Sequence, residues 1–257
     1  MGRSPMLRVA EREVHVFRRL WRGSVGFAFL QPLLFLGAMG IGLGGLVEES
    51  TGDVDGVRYL AFIAPGLMAA SAMLVAGGDA LWPLMGRLKW MGSYVAMVST
   101  PVSASEAFGG WLIWIAVRTS LSTVAFLVAA SILGGVLSMW ALLAVPAAVL
   151  TGLAFAAPIG AFTATQETDF RFPLLMRLGI MPLFLFSGTF FPTEQLPDAL
   201  EVAVWLSPLW HGVELCRGAT TGDLDVGAAA IHVAVLISLI AAGSELGARA
   251  FRKRLTP

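Results

Sequence analysis

Charge is scarce in this chain. Asp, Glu, Lys and Arg make up 13% of its 257 residues, about half the usual share of a soluble domain. The formal net charge is zero, hydrophobic residues reach 57%, and the mean hydropathy is +0.79. A soluble protein with so little charge and so much apolar surface would precipitate. Disorder is excluded, because it needs low hydrophobicity and high net charge. The lack of a basic excess argues against nucleic acid as a partner, since nothing would neutralise its phosphates. Cys216 is the only cysteine, so no disulfide framework exists. No G-x-x-x-x-G-K-[ST] segment occurs, so the chain has no P-loop nucleotide site of its own. His15, His211 and His232 are scattered and no H-E-x-x-H is present. Neither a catalytic residue nor a metal site is expected. A polytopic membrane protein remains.

A helix needs roughly 20 apolar residues to cross about 30 Å of hydrocarbon. Six stretches qualify, and they predict an all-α chain with six transmembrane helices: 23–47, 59–82, 107–133, 139–165, 173–191 and 226–246. The first follows a basic segment but is longer than a signal-peptide core, and no A-x-A-like site closes it. It reads as an uncleaved span. An even number of spans puts both termini on one side. Fourteen of the seventeen basic residues fall on that side, in the N-terminal tail, the second and fourth loops and the C-terminal tail. Only Arg58 and Arg217 fall on the other, together with ten acids. The positive-inside rule then predicts cytoplasmic termini.

Three segments are not spans. Within residues 1–22, Leu7, Ala10, Val14, Phe17 and Trp21 recur at helical spacing, with arginines on the other faces. This predicts an amphipathic helix at the membrane interface. Residues 83–106 form the one sizeable inner loop. Its stretch 89–97 predicts a short interfacial helix, broken by Pro101, after which Ser103 or Ser105 caps the next helix with Glu106 in its first turn. Residues 191–225 are too apolar for a plain loop and predict one or two short helices that dip into the outer leaflet without crossing. The glycines at the end of the first span (Gly37, Gly40, Gly42, Gly44 and Gly45) predict close helix packing.

Four ionisable residues lie in or near spans: Asp79, Arg118, Arg177 and His232. Each costs about 2.5–3.5 kcal/mol at membrane depth and so calls for a partner or a role. Asp79 and Arg177 sit near span ends and can snorkel. Arg118 is too deep for that and needs a polar neighbour, for which Glu214 is the candidate.

The run Phe186-Ser187-Gly188-Thr189-Phe190-Phe191-Pro192, then Leu196-Pro197, then Leu206-Ser207-Pro208-Leu209, His211, Val213, Glu214 and Arg217, resembles the signature of ABC-2 type exporter permeases. Thr100-Pro101-Val102 resembles the same family. The branch it is most similar to contains nodulation-factor and daunorubicin-type exporters. The resemblance covers nearly the whole of 1–257 as a single transmembrane domain. It implies half of a transmembrane dimer, with a second copy or a sister permease, served by two cytoplasmic P-loop ATPase subunits that hold ATP and Mg. It implies that 86–99 is a coupling helix, with Arg87, Lys89, Trp90 and Tyr94 as ATPase contacts and Arg12 and Phe17 of the N-terminal helix as a second contact. It implies re-entrant helices at the outer mouth, involving Phe191, Pro192, Pro208, His211, Glu214 and Arg217. Location in a bacterial plasma membrane follows from the same resemblance. Apolar walls rich in adaptable Met favour an amphipathic substrate such as a drug, lipid or glycolipid. The alternative, a secondary transporter or channel acting alone, would show inverted halves, and no internal repeat is visible.

Overall fold

The computed structural model describes residues 4–255, without the side chains of residues 20–29, 31, 41, 48, 51, 198 and 199. Arg3 and the side chains of Trp21, Arg22, Glu48 and Asp198 therefore lie outside the described residues. Among the described residues the chain is nearly all helical and contains no strand. Helix α1 (Pro5–Phe35) runs through a π-helical stretch, Leu36–Leu43, into α2 (Gly44–Thr51). Helix α3 (Tyr59–Asp79) is followed by α4 (Trp82–Met85), a π turn at Gly86–Trp90, α5 (Ser93–Val98) and α6 (Ala104–Ile132). A 3-10 turn, Met139–Leu143, opens α7 (Ala144–Thr165). Then come α8 (Phe172–Leu175), a π turn at Met176–Ile180, α9 (Met181–Phe186), α10 (Asp198–Trp205), α11 (Pro208–Thr221) and α12 (Val226–Leu255).

Four helical stretches are long and apolar enough to cross a membrane: Tyr59–Trp90, Ala104–Ile132, Met139–Thr165 and Val226–Leu255. The expected first and fifth spans contain shorter apolar stretches, Pro32–Val47 and Phe172–Phe186. The fifth stops early because Gly188 takes a left-handed φ of +74°, which ends the helix after Phe186. At 1.5 Å per residue the remaining stretch is about 22 Å long. The N-terminus also differs from expectation. No break separates the amphipathic segment from the apolar one; α1 is continuous. Gly23 and Gly26 lie inside it, and a helical glycine costs only about 1 kcal/mol. The short inner-loop helix is shifted to Ser93–Val98, because Gly92 at φ +61° starts it afresh. Ser103, not Ser105, caps α6, in a reciprocal pairing with Glu106.

Helix α3 is the hub. Almost all of it is buried, and it packs against α6, α7 and α11. Helix α12 lies on α7 and α6. Its approach is close because Gly243 has no side chain; a Cβ there would sit 2.6 Å from the Pro158 nitrogen. Helix α1 lies along α6, with the Phe17 and Trp114 rings 5.4 Å apart.

Long-range contacts sort the segments into two ends. At one end Arg87 meets Glu13, Lys89 meets Glu167, Tyr94 meets Phe251, and Arg254 donates to the carbonyls of Ala164 and Gln166. The basic segments, including both ends of the described chain, gather there. At the opposite end Arg58 donates to the Gly134 carbonyl and the Leu137 N–H donates to the Thr220 carbonyl. The acid-rich loops gather there.

Candidate functional site

The basic end is built around the turn after α4. Pro83 starts that short helix, and the π turn that follows points Arg87 back toward α1. The Arg87 guanidinium lies 3.3 Å from Glu13 Oε2, while Arg12 lies 3.0 Å from Glu13 Oε1. Glu13 is almost wholly buried, and two arginines supply the compensation a buried carboxylate requires. Glu13 was not among the expected contact residues, although its spacing carried a signal. It stands three residues after Ala10 and four before Phe17, so an acid sits on the apolar face.

The expected contact residues of this loop separate into two groups. Lys89 and Trp90 face outward, and Trp90 is 61% exposed beside Met91 at 68%. Tyr94 faces inward. It is fully buried, with its ring 5.5 Å from that of Phe251 on α12, and burial raises its phenol well above the ordinary value against the pull of Arg87. It braces the loop from behind. Arg12 is exposed beside Arg8 in a groove that Met97 and Pro101 complete. Phe17 is half-buried against α6. The cap of α6 closes the loop. Glu106 accepts from the Ser103 N–H at 2.8 Å and from its hydroxyl at 2.7 Å, which lowers the Glu106 pKa, the backbone bond contributing most.

Between the ends, Arg118 donates to Asp79 Oδ1 at 2.5 Å. Asp79, not Glu214, is its partner, and this corrects both sequence expectations: Asp79 does not snorkel, and Glu214 pairs with Arg217. Helical side chains lean toward their own N-terminus. Helix α6 starts at the basic end, so Arg118 leans toward the last residue of the antiparallel α3. Asp79 is buried, and its Oδ2 has no hydrogen-bond partner. Arg177 is exposed on the π turn before α9.

The acidic end holds the signature run as a knot of non-helical backbone. Such backbone needs partners for its carbonyls in an apolar setting. Arg217 of α11 donates to the Gly188 carbonyl at 2.6 Å and to Glu214 Oε1 at 2.8 Å, and it stacks 4.1 Å over the Phe62 ring of α3. The Tyr59 hydroxyl donates to the Phe190 carbonyl at 3.3 Å. Thr189 lies against Gly66, where a Cβ would fall 2.8 Å from the Thr189 carbonyl oxygen. Ser187 and Ser207 share a hydrogen bond at 2.8 Å, and Pro208 follows in the first turn of α11. His211 is buried and meets His232 of α12, Nδ1 to Nδ1 at 2.7 Å. Phe191 and Pro192 are half-buried at the start of the loop. Arg217, Glu214 and His211 are thus brought together with the signature run, while Arg177 stands apart. Among the described residues no group of three or more His, Cys, Asp and Glu could hold a metal ion.

The sequence pattern of the ABC-2 type transporter family matches residues 9–220, from the Glu13 region through the Arg217 knot. The chain belongs to that family. Similar proteins include Nodulation protein J of Rhizobium leguminosarum bv. viciae, 30% identical over 249 residues, covering 97% of this chain and 94% of the relative. Nodulation protein J of Rhizobium leguminosarum bv. trifolii is 33% identical over 225 residues, covering 88% and 84%. That of Sinorhizobium fredii is 32% identical over 206 residues, covering 80% and 77%. As an ABC-2 permease, the chain is a membrane transport subunit. The family match ends just before α12, whereas the alignment to the relative from bv. viciae spans nearly the whole chain.

Proposed function

We propose that this permease is the membrane half of an ATP-driven exporter. It moves an amphipathic substrate outward, with energy supplied by two separate P-loop ATPase subunits that carry the ATP and Mg. The observation that carries this reading is the braced loop at the basic end. Trp90 and Met91 stand exposed at its tip, while Glu13, Tyr94 and the Ser103 cap hold the loop to three different helices. Exposed aromatic and thioether side chains on a rigid base are the composition of a protein docking surface. A push on such a loop passes directly into α1, α6 and α12.

In this reading the basic end faces the cytoplasm of a bacterial cell, as the excess of arginine and lysine there supports. Six segments cross the membrane, the fifth, with its short apolar helix, by local thinning of the bilayer. Helices α10 and α11 form the re-entrant closure of the outer mouth. A second copy, or a sister permease, completes the path. Transport follows when nucleotide binding biases a two-state arrangement of the spans.

Co-purification with a P-loop ATPase tests the reading. Trp90→Ala with Met91→Ala is expected to abolish the association and leave membrane insertion unchanged. An unchanged complex removes the docking assignment, and a permease that binds and stimulates no ATPase removes the exporter reading. Orientation is tested by labelling. The native Cys216 is buried, so Asp53→Cys is expected to react with an impermeant maleimide from outside intact cells and Lys253→Cys only after permeabilisation.

A further inference from the structure

His211 and His232 join α11 to the last span. His211 lies in the first turn of α11 and is 7% exposed, while His232 of α12 is half-buried. From Val226 to His232 the helix rises about 9 Å, so the pair sits near the acidic end. The two Nδ1 atoms are 2.7 Å apart, and among the described residues this is the one side-chain hydrogen bond between α11 and α12. The Trp210 ring packs edgewise against both imidazoles, its centre 5.0 and 5.1 Å from theirs. Trp205 of α10 stands 6.4 Å from Trp210. The remaining histidine, His15, is exposed on α1.

No acid balances the pair. The turn Met139–Leu143 and helix α7 contain no ionisable residue. On α3, Tyr59 bonds the Phe190 carbonyl and Asp79 pairs with Arg118 of α6. On α11, Glu214 pairs with Arg217, and the Cys216 thiol turns to the Ala144 carbonyl. At the start of α12, Asp225 bonds the N–H groups of Gly227 and Ala228, and Glu245 pairs with Arg249 near the other end. Glu106 of α6, Tyr94 of α5 and the basic residues that end α12 belong to the basic end. Glu201 of α10 is half-buried. Among the described residues neither imidazole makes an ion pair, and the charge that His211 feels is that of His232.

We propose that His211 and His232 form a proton-binding latch on the outer closure: one shared proton holds α11 against α12, and charging both rings in an acidic exterior releases it. The latch rests on the reading of α11 as part of that closure. A bond between two Nδ1 atoms needs one N–H donor and one bare acceptor. A first added proton can go to the outer nitrogen of the donating ring, and the bond survives. A second must go to the accepting Nδ1. Two N–H groups then face each other without an acceptor, on two cations with no acid beside them, and the rings must part. Separated rings therefore bind more protons than paired ones, so falling pH favours separation. The Ser187–Ser207 bond at 2.8 Å ties neighbouring backbone with hydroxyls that do not titrate. Histidine provides a comparable tie whose charge changes between about pH 5 and 8.

The test uses the permease with its ATPase in nanodiscs. Spin labels are placed by Leu206→Cys and Val226→Cys, two exposed positions at the starts of α11 and α12, with Cys216→Ser to remove the native thiol. Their distance distribution is read at pH 7.5 and pH 5. The ratio of separated to closed molecules is expected to rise at least about fivefold in acid. His211→Asn and His232→Asn, each alone, keep a polar group near the bond but prevent the second charge, and each should abolish the pH response. His15→Asn should keep it. A wild type with equal distributions at the two pH values overturns the latch, and so does a wild-type response in both His211→Asn and His232→Asn. A single Asn variant that is separated at both pH values shows that the bond itself holds the helices together, and supports it. The distances are read whether or not ATP is hydrolysed. A pH-dependent separation in a permease that binds and stimulates no ATPase thus counts against the exporter reading and leaves the latch standing.

Discussion

Glu13 Oε2 lies 3.3 Å from Arg87 Nη2, and this ion pair joins the N-terminal helix to the loop between α3 and α6. The carboxylate is buried and the guanidinium nearly so. Glu13→Ala leaves Arg87 without its counter-charge and is expected to cost about 3 kcal/mol, the low end for breaking a buried pair. It should also lower ATP-driven transport, because the loop then moves without carrying α1. Exchanging the charges, Glu13→Arg with Arg87→Glu, should recover part of both. Thermal unfolding in detergent and transport by reconstituted complex measure the two effects. A Glu13→Ala protein with native midpoint and native coupling removes the bracing role.

The pair between Asp79 and Arg118 is asymmetric, and the asymmetry sets the second prediction. Asp79 is 2% exposed and Arg118 39%. Arg118→Ala strands a buried carboxylate and is expected to cost about 3 kcal/mol or more. Asp79→Ala leaves a guanidinium that is only partly buried, so its cost is expected to be smaller than that of stranding the buried carboxylate. Unfolding midpoints of the two single variants and the double variant give the order. Equal losses would contradict the placement of Asp79 as the buried partner.

These residues also mark what the sequence could disclose. The cap of α6 was readable only in part: the local residues offered Ser103 or Ser105, and the reciprocal bonds to Glu106 single out Ser103. The partition of charge between two ends was readable because it depends on segment order alone. Arg118 could be recognised as needing a partner, yet Asp79 could not be named, because the register between antiparallel α3 and α6 is set by packing and not by spacing. The continuity of α1 was hidden for a similar reason: helix propensity at Gly23 and Gly26 is weak information, and tertiary packing overrides it. The signature run was recognisable as a pattern, but its physical purpose lay in contacts from Tyr59 and Arg217, 131 and 29 residues distant from their respective carbonyls.

The cap carries a pH prediction. Hydrogen bonds from the Ser103 backbone, and then from its hydroxyl, lower the Glu106 pKa. A carboxyl whose pKa is lowered on folding stabilises the fold above its unfolded value, and the stabilisation fades as pH falls through the folded value. Glu106→Gln is therefore expected to lower stability at neutral pH and to bring no further penalty in acid, so the two proteins converge below the carboxylate range. Unfolding midpoints between pH 7 and pH 3 check this. A constant gap across that range would remove the ionised carboxylate as the capping group.

At the acidic end the knot of Gly188 and Arg217 fixes an order among three substitutions. Arg217 serves the Gly188 carbonyl, Glu214 and the Phe62 ring at once. Arg217→Ala leaves a buried carbonyl and a carboxylate unpaired and is expected to cost about 3 kcal/mol. Gly188→Ala keeps those bonds but forces φ +74° on an alanine, whose Cβ would meet Thr193 Cγ2 at 3.2 Å. That strain is worth about 1–2 kcal/mol. Tyr59→Phe removes one long hydrogen bond of 3.3 Å and should cost less than about 1 kcal/mol. Because the knot lies on the acidic end, the larger losses should also open that end to solvent. Thr189→Cys is the reporter, since Thr189 is fully buried against α3. Its maleimide reaction rate should rise steeply with Arg217→Ala, moderately with Gly188→Ala and little with Tyr59→Phe. A Gly188→Ala protein that reacts faster than Arg217→Ala would mean that backbone conformation, and not the arginine, holds the knot closed.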